Sequence, residues 1–381
     1  MRVLILTCHT GEGHNSTAAA IQEGFQAWGV PCDIVDSLGL ISPTASALIS
    51  SGHARLYRYA PKMFGTGYQY AENHPSVFDE GKLVYKYLAS GAKRLYALVQ
   101  KKGYDLIICA HVFPALMAAQ LRRRYGLEIR TSFVATDYTC SPITGECDLD
   151  VYFIPHEGLA DEFAAAGVPR ERLVASGIPV RQAFWQRGDR EESRKQFGLD
   201  RFTRHALLMC GSMGCGPMEE LTVAIAGALP ADAALTVICG TNERLYNNLC
   251  KHGRDNVLIL GYTQVVPLLM DSADLFLTKP GGISISEAGA KRLPLLLIDA
   301  VGGCEDRNLA YFTGMGWAET AENPEGIARR CLTLLDDAAA LDTMSGALAR
   351  AFCENPVDRI LSCLLPAEAE LRKGEESEKE E

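Results

Sequence analysis

The 381-residue sequence contains no apolar run of the ~18 residues that a membrane-spanning helix requires. Its thirteen cysteines are scattered, odd in number and never spaced as Cys-x-x-Cys, so neither a disulfide framework nor a zinc ribbon is indicated. Several of them, such as Cys109, Cys210 and Cys239, end apolar strands and are expected as small buried hydrophobes. No Gly-Lys-Ser/Thr closes any glycine-rich turn, which excludes a Walker loop. No turn completes Gly-x-Gly-x-x-Gly either, since Gly11-Glu12-Gly13 is followed by Ser16. A secretory h-region is missing as well: Met1-Arg2 leads directly into Val3-Leu4-Ile5-Leu6, and His9, Glu12 and His14 follow at once. This opening reads as a first β-strand, and a cytoplasmic location is expected.

What is present is the composition of a globular protein, 48% apolar and 22% charged, in a chain long enough for two domains. The net charge of −10 is unevenly spread, and no nucleic-acid partner is expected. Residues 1–150 hold 14 Lys and Arg against 13 Asp and Glu, the remainder 23 against 34. Within 51–102 nine basic residues, among them Arg55, Lys62, Lys86 and Arg94, stand against three acidic ones. Such a segment suits either an anionic surface or a solvated helix face.

Short β-branched runs alternate with helical stretches throughout, the pattern of parallel α/β sheets. In the first half strands are expected at Val3–Cys8, Asp33–Asp36, Leu106–Cys109, Thr131–Ala135 and Val151–Ile154. Helices are expected at Thr17–Trp28, Glu80–Val99, Pro114–Tyr125 and Leu159–Ala166. The aromatic stretch Ser42–Val77 breaks this rhythm and reads as a functional insertion. A charged run, Arg187–Lys195, reads as a linker. Beyond it strands are expected at Ala206–Cys210, Leu235–Cys239, Val257–Leu260, Leu275–Leu277 and Leu295–Ile298. The resulting organisation is an N-terminal domain over 1–180 with an insertion at 42–102, a second domain over 200–365, and a solvated tail at 366–381.

Three strand-to-helix turns are built from glycine and small polar residues: Thr10–Ser16, Gly211–Gly216 and Lys279–Ser284. Glycine lets backbone approach a ligand, and the helix N-terminus that follows offers N–H groups to an anion. Gly13 belongs to the first of these surfaces. Two such turns in one domain point to a diphosphate at the carboxyl edge of the sheet. In the last, a helix starting near Gly282 would offer its first N–H groups and the Ser284 hydroxyl to a phosphate. Glu287, one turn on along that face, would accept from ribose hydroxyls. Glu305-Asp306-x-Asn308 opens a further helix just after Val301-Gly302-Gly303, where carboxylate and amide groups suit sugar hydroxyls.

The sequence resembles the monogalactosyl-/monoglucosyl-diacylglycerol synthases of glycosyltransferase family 28. The carriers are Gly11-Glu12-Gly13-His14 with Ala18, Thr136-Asp137, Gly177-Ile178-Pro179, Cys239-Gly240-x-Asn242, Gly261-Tyr262, and Lys279–Glu287 with Glu305 and Asn308. The resemblance implies an α/β protein of GT-B architecture, with two Rossmann-like, doubly wound parallel-sheet domains facing across a cleft. It implies a UDP-sugar in the C-terminal domain, with Gly240 and Asn242 near the uracil and Tyr262 reading it through backbone groups. Ser212 and Met213 would hold the diphosphate together with Gly281, Gly282, Ile283 and Ser284. Glu287 would take the ribose, and Glu305 and Asn308 the donor sugar. On the acceptor side it implies His14 and Asp137, with Asp137 the candidate general base. The acceptor would be a lipid, diacylglycerol, taken from an anionic membrane on which the 51–102 segment docks at the inner face.

In this family the Thr-Asp pair is typically followed by a His and a Trp; here Thr136-Asp137 is followed by Tyr138-Thr139-Cys140, which leaves His14 as the alternative base. GT-B transfer relies on helix N-termini for the departing diphosphate, so no metal or other cofactor is expected. Asp148-Leu149-Asp150 matches the Asp-x-Asp metal signature of other glycosyltransferases but lies where turn carboxylates are common, and His9 with His14 lacks a third ligand. Two other functions fit the same architecture: a UDP-N-acetylglucosamine 2-epimerase-like enzyme, and a non-catalytic protein that senses UDP-sugar.

Overall fold

A computed structural model describes residues 1–8, 12–42, 81–251, 253–298 and 302–366. Among them, residues up to 181 together with 354–366 form one compact unit, and 182–353 form another. Most of the expected insertion, His9 to Gly11 of the first turn, Val301 and nearly all of the tail lie outside the described residues.

The first unit is built on β1 (Val3–Thr7), β2 (Cys32–Asp36), β3 (Leu106–Cys109), β4 (Arg130–Val134), β5 (Val151–Ile154) and β6 (Leu173–Ala175). Every pairing is parallel and the order is β2-β1-β3-β4-β5-β6. Val3 to Leu6 and Leu106 to Cys109 are apolar at every position and buried, because helices cover both faces of a parallel sheet. Helix Glu12–Ala27 sends Ala18, Ile21 and Phe25 into this core. The last helix, Pro356–Leu364, packs there too, through Val357, Ile360 and Leu361. Gly24 permits the approach, since a Cβ there would stand 2.2 Å from Cγ1 of Val357. The second unit therefore ends at 353, short of the expected 365.

The second unit carries β7 (Arg204–Met209), β8 (Ala233–Ile238), β9 (Val257–Leu260), β10 (Leu275–Thr278), β11 (Leu295–Leu297) and β12 (Ala318–Thr320). Its order is β12-β11-β10-β7-β8-β9, again all parallel. In an open parallel sheet, ligands bind where the strand order reverses, outside the carboxyl ends of the strands. That point lies between β1 and β3 in the first sheet and between β7 and β10 in the second.

Several expectations change here. β6 and β12 are three-residue edge strands, too short and too incompletely buried for periodicity to mark them. The single helix expected over Glu80–Val99 is two, Leu83–Ala89 and Ala92–Lys102. The break falls at Gly91, where a Cβ would meet Cε of Met117 at 2.5 Å. The expected linker holds helix Arg190–Gln196, capped by Asp189 through the Glu192 N–H (2.9 Å). Its Arg194 is buried because the guanidinium pairs with Asp274 at 2.5 Å and donates to the Ser272 and Thr203 carbonyls.

Candidate functional site

At the switch point of the first sheet, His14 follows β1 and His111 follows β3. Nδ1 of His14 lies 3.1 Å from the Ala110 carbonyl oxygen and 3.1 Å from Oγ1 of Thr136. A carbonyl only accepts, so Nδ1 carries the proton, and in a neutral ring the lone pair then falls on Nε2. His111 adopts the opposite tautomer. Its Nδ1 accepts the Phe113 N–H at 3.0 Å, capping helix Val112–Tyr125, which leaves its proton on Nε2. The two rings meet edge to face, with centroids 4.5 Å apart at 85°. Asp137, half-buried, adjoins Thr136 at the end of β4. Gly13 stands in the first turn of helix Glu12–Ala27 beside His14. Asp148 and Asp150, the Asp-x-Asp pair, are taken by arginines: Asp148 by Arg172 at 2.8 Å, Asp150 by Arg122 at 2.7 Å.

In the second unit the turns after β7 and β8 interlock. Thr241 N–H donates to the Ser212 carbonyl (2.8 Å), and the Asn242 side chain donates to the Gly214 carbonyl (2.9 Å). Asn242 also caps helix Glu243–Cys250 by accepting the Leu245 N–H. Its amide thus bonds the protein's own backbone in the place where the uracil is expected. Met213 is half-buried in the β7 turn, and Tyr262 beyond β9 is exposed.

The turn after β10 differs from that after β7. Helix Met218–Ala228 has Glu219 and Glu220 in its first turn, which oppose a second anion. Helix Gly282–Lys291 has no acidic residue in its first turn and no side-chain cap, with Gly281 at the cap position. The first i→i−4 bond runs from Ile285 to Gly281 (3.2 Å), so the N–H groups of Gly282, Ile283 and Ser284 precede the helical ladder. Glu287 lies one turn further on and is largely buried.

Helix Cys304–Gly314 supports this turn from beside it. Asn308 is fully buried and donates to the Pro280 carbonyl at 2.9 Å, which ties this helix to the turn. Glu305 pairs with Lys279 across 3.4 Å, both side chains being almost inaccessible. Beneath them burial pushes the Cys210 thiol up to about 12, which keeps it protonated and unreactive.

Sequence reasoning missed Lys279 and His111. Lys279 opened a run read for its glycines, and nothing linear ties it to a carboxylate 26 residues on. His111 did leave a signal, since it ends β3 just as the His14 turn ends β1.

Residues 14–180 match the model of the family described as monogalactosyldiacylglycerol (MGDG) synthase. Residues 221–349 match that of glycosyl transferases group 1. A processive diacylglycerol beta-glucosyltransferase of Bacillus cereus (strain B4264) is 28% identical over 369 residues, covering 96% of this chain and 93% of its own length. Among solved structures, MurG of Acinetobacter baumannii aligns with a TM-score of 0.62 at 14% identity, over 95% of this chain and 98% of that one. The UDP-GlcNAc 2-epimerase from Neisseria meningitidis bound to UDP-GlcNAc gives 0.60 at 12% identity, over 96% and 100%. At such identities the structural likenesses establish the GT-B fold, which these transferase and epimerase structures share.

Proposed function

We propose that the chain transfers a hexose from a UDP-sugar to diacylglycerol, because residues 14–180 match the monogalactosyldiacylglycerol synthase model and residues 221–349 that of glycosyl transferases group 1. The match over 14–180 carries this reading. It spans the half that would select the acceptor and includes His14 and Asp137, whereas the fold alone admits an epimerase.

The donor would sit at the β7–β10 switch point of the second unit. Its diphosphate would lie on the N–H groups of Gly282, Ile283 and Ser284, with backbone of Ser212 and Met213 alongside and Glu287 at the ribose. As the bond to the sugar breaks, negative charge grows on the diphosphate, and the uncapped helix N-terminus stabilises it without reorganising. On the acceptor side His14 has the tautomer suited to a base: Nδ1–H donates to Ala110, and Nε2 of the neutral ring would take the proton of the acceptor hydroxyl. Asp137 would orient that hydroxyl.

The acceptor brings the protein to a membrane. No described helix is long and apolar enough to cross one. Leu83, Val84 and Tyr87 are exposed on helix Leu83–Ala89 beside exposed Lys82 and Lys86, and Lys93, Arg94, Lys101 and Lys102 are exposed on the helix that follows. Exposed apolar side chains on a helix that also carries lysine, next to a second basic helix, suit peripheral docking on the anionic inner leaflet.

The test is incubation with UDP-glucose and UDP-galactose, each with diacylglycerol in anionic vesicles and with soluble acceptors, read by mass spectrometry. Hexosyl-diacylglycerol is expected. Products with soluble acceptors alone would refute the lipid acceptor, and UDP release with a free epimerised sugar would favour the epimerase reading.

A further inference from the structure

Helix Val112–Tyr125 of the first unit is capped by His111, whose Nδ1 accepts the Phe113 N–H at 3.0 Å. Serine, threonine, aspartate and asparagine are the side chains that favour such a position, because a short oxygen-bearing group reaches the helix N–H groups. Capping alone therefore gives no reason for an imidazole here.

The neighbouring ring does. His111 directly follows Ala110, whose carbonyl oxygen takes Nδ1–H of His14 at 3.1 Å, and its own ring stands edge to face with that of His14. Two consecutive residues beyond β3 thus address one imidazole, the first through backbone and the second through its ring. The Ala110 and Thr136 contacts both converge on a single corner of the His14 ring, Nδ1. The torsion that turns an imidazole about its Cβ–Cγ bond has a broad minimum, so covalent geometry alone leaves the ring plane loose. A ring held at one corner can still tilt. A second ring at 85°, with centroids 4.5 Å apart, limits that tilt. His111 is itself well held. Its backbone is extended at φ −156° and ψ 154°, its Nδ1 is engaged in the cap, and its ring packs on Phe113 with centroids 4.4 Å apart. The helix it caps is anchored in the core, every residue from Pro114 to Leu121 being buried.

We propose that His111 is a positioning residue for proton removal: its ring fixes the plane of the His14 imidazole, and with it the direction in which Nε2 points. The inference rests on the reading of His14 as the base. His111 acts through His14 and leaves donor binding, which belongs to the second unit, untouched. Its ring serves His14 while its Nδ1 serves the helix, and substitution separates the two tasks. Asparagine keeps an oxygen for the Phe113 N–H and loses the ring. Phenylalanine keeps a flat ring and loses the cap.

The experiment measures kcat and KM for hexose transfer to diacylglycerol in anionic vesicles, with UDP-glucose and UDP-galactose as donors, alongside thermal denaturation. It uses the full chain, unsubstituted and as His111→Asn, His111→Phe, His14→Ala and the double variant His14→Ala with His111→Asn. His111→Asn is expected to lower kcat by about 10- to 10²-fold, the scale of a misplaced reacting group, with the donor KM and the thermal midpoint preserved. His111→Phe should keep most of kcat and show the lower midpoint that loss of a cap brings. In the His14→Ala background His111→Asn should cost little more, because both changes act on one group. Unchanged kcat in His111→Asn, a His111→Phe as slow as His111→Asn, or fully additive losses in the double variant would each overturn the inference. If His111→Phe lacks a cooperative thermal transition, His111→Asn and the double variant decide. A fully active His14→Ala overturns it by another route, removing the base reading beneath it, and an unsubstituted protein that transfers no hexose removes the proposed activity as well.

Discussion

His14 points Nδ1 at the carbonyl oxygen of Ala110, 3.1 Å away, and that one contact sets which nitrogen can act as a base. The carbonyl closes the β3 end of the switch point, so the fold itself fixes the tautomer. Substituting His14→Ala should lower kcat for hexose transfer by about 10²–10⁴-fold, the usual span for a lost general base. UDP affinity, which belongs to the other unit, should be unchanged by calorimetry. Asp137→Asn should raise KM for the acceptor more than it lowers kcat. The reverse pattern, with Asp137→Asn inactive and His14→Ala active, would pass the base role to Asp137.

Gly240 carries a different constraint. Its φ is +56°, and a Cβ there would stand 2.1 Å from the Ser212 carbonyl oxygen; Gly214, also at φ +56°, faces the Cys239 carbonyl at 2.0 Å. The β7 and β8 turns meet backbone to backbone at these two glycines, leaving no room for a side chain at either position. Gly240→Ala should destabilise the protein by about 2–4 kcal/mol, combining left-handed strain with overpacking. Gly227→Ala, in an open helical position, should instead add up to about 1 kcal/mol. Thermal denaturation of the two variants checks the contrast, and equal midpoints would dismiss the close approach.

The sheets were legible in the sequence because buried parallel strands are apolar at every position, as Val3 to Leu6 and Leu295 to Leu297 are. The glycine turns were legible because few residues other than glycine tolerate such backbone. Edge strands β6 and β12 were not, because these short segments are only partly buried and lack a continuous apolar run. Nor was the return of Pro356–Leu364 to the first unit, since nothing in the linear pattern ties Val357 to Gly24 across the intervening domain. At the site, sequence marked the residues but not their division of labour. Asn242 and Asn308 look like ligand-reading amides in a linear string. In the fold each amide also donates to a carbonyl of a glycine turn, Gly214 and Pro280, a contact that no linear string displays.

Glu287 lies on the helix whose first N–H groups precede the ladder, one turn beyond Ser284, and it is largely buried. A carboxylate there suits vicinal hydroxyls better than a phosphate, which it would repel. Glu287→Ala should therefore weaken UDP by about tenfold or more, as expected for loss of a charged hydrogen-bond acceptor. Uridine should weaken by a similar factor while inorganic pyrophosphate does not. Unchanged UDP affinity by calorimetry would remove Glu287 from the ribose.

His205 gives the second unit an acid sensitivity unconnected with catalysis. It is fully buried, with Nε2 2.8 Å from Oγ1 of Thr236 and Nδ1 3.1 Å from the Ser272 carbonyl oxygen. Burial pushes its pKa down from 6.5 to about 4; the Ser272 hydrogen bond opposes this and the nearby Arg194 charge reinforces it. The unfolded chain takes up a proton near its ordinary value of about 6.5, whereas the folded chain resists until about 4. The neutral ring's contribution is thus complete above the unfolded value and is lost as pH falls through the window between the two. The full loss is roughly 3 kcal/mol. Urea unfolding from neutral pH down to about pH 5 should show stability declining, and His205→Gln, less stable at neutrality, should show a shallower decline. A slope the same in both proteins would assign the acid sensitivity to other groups.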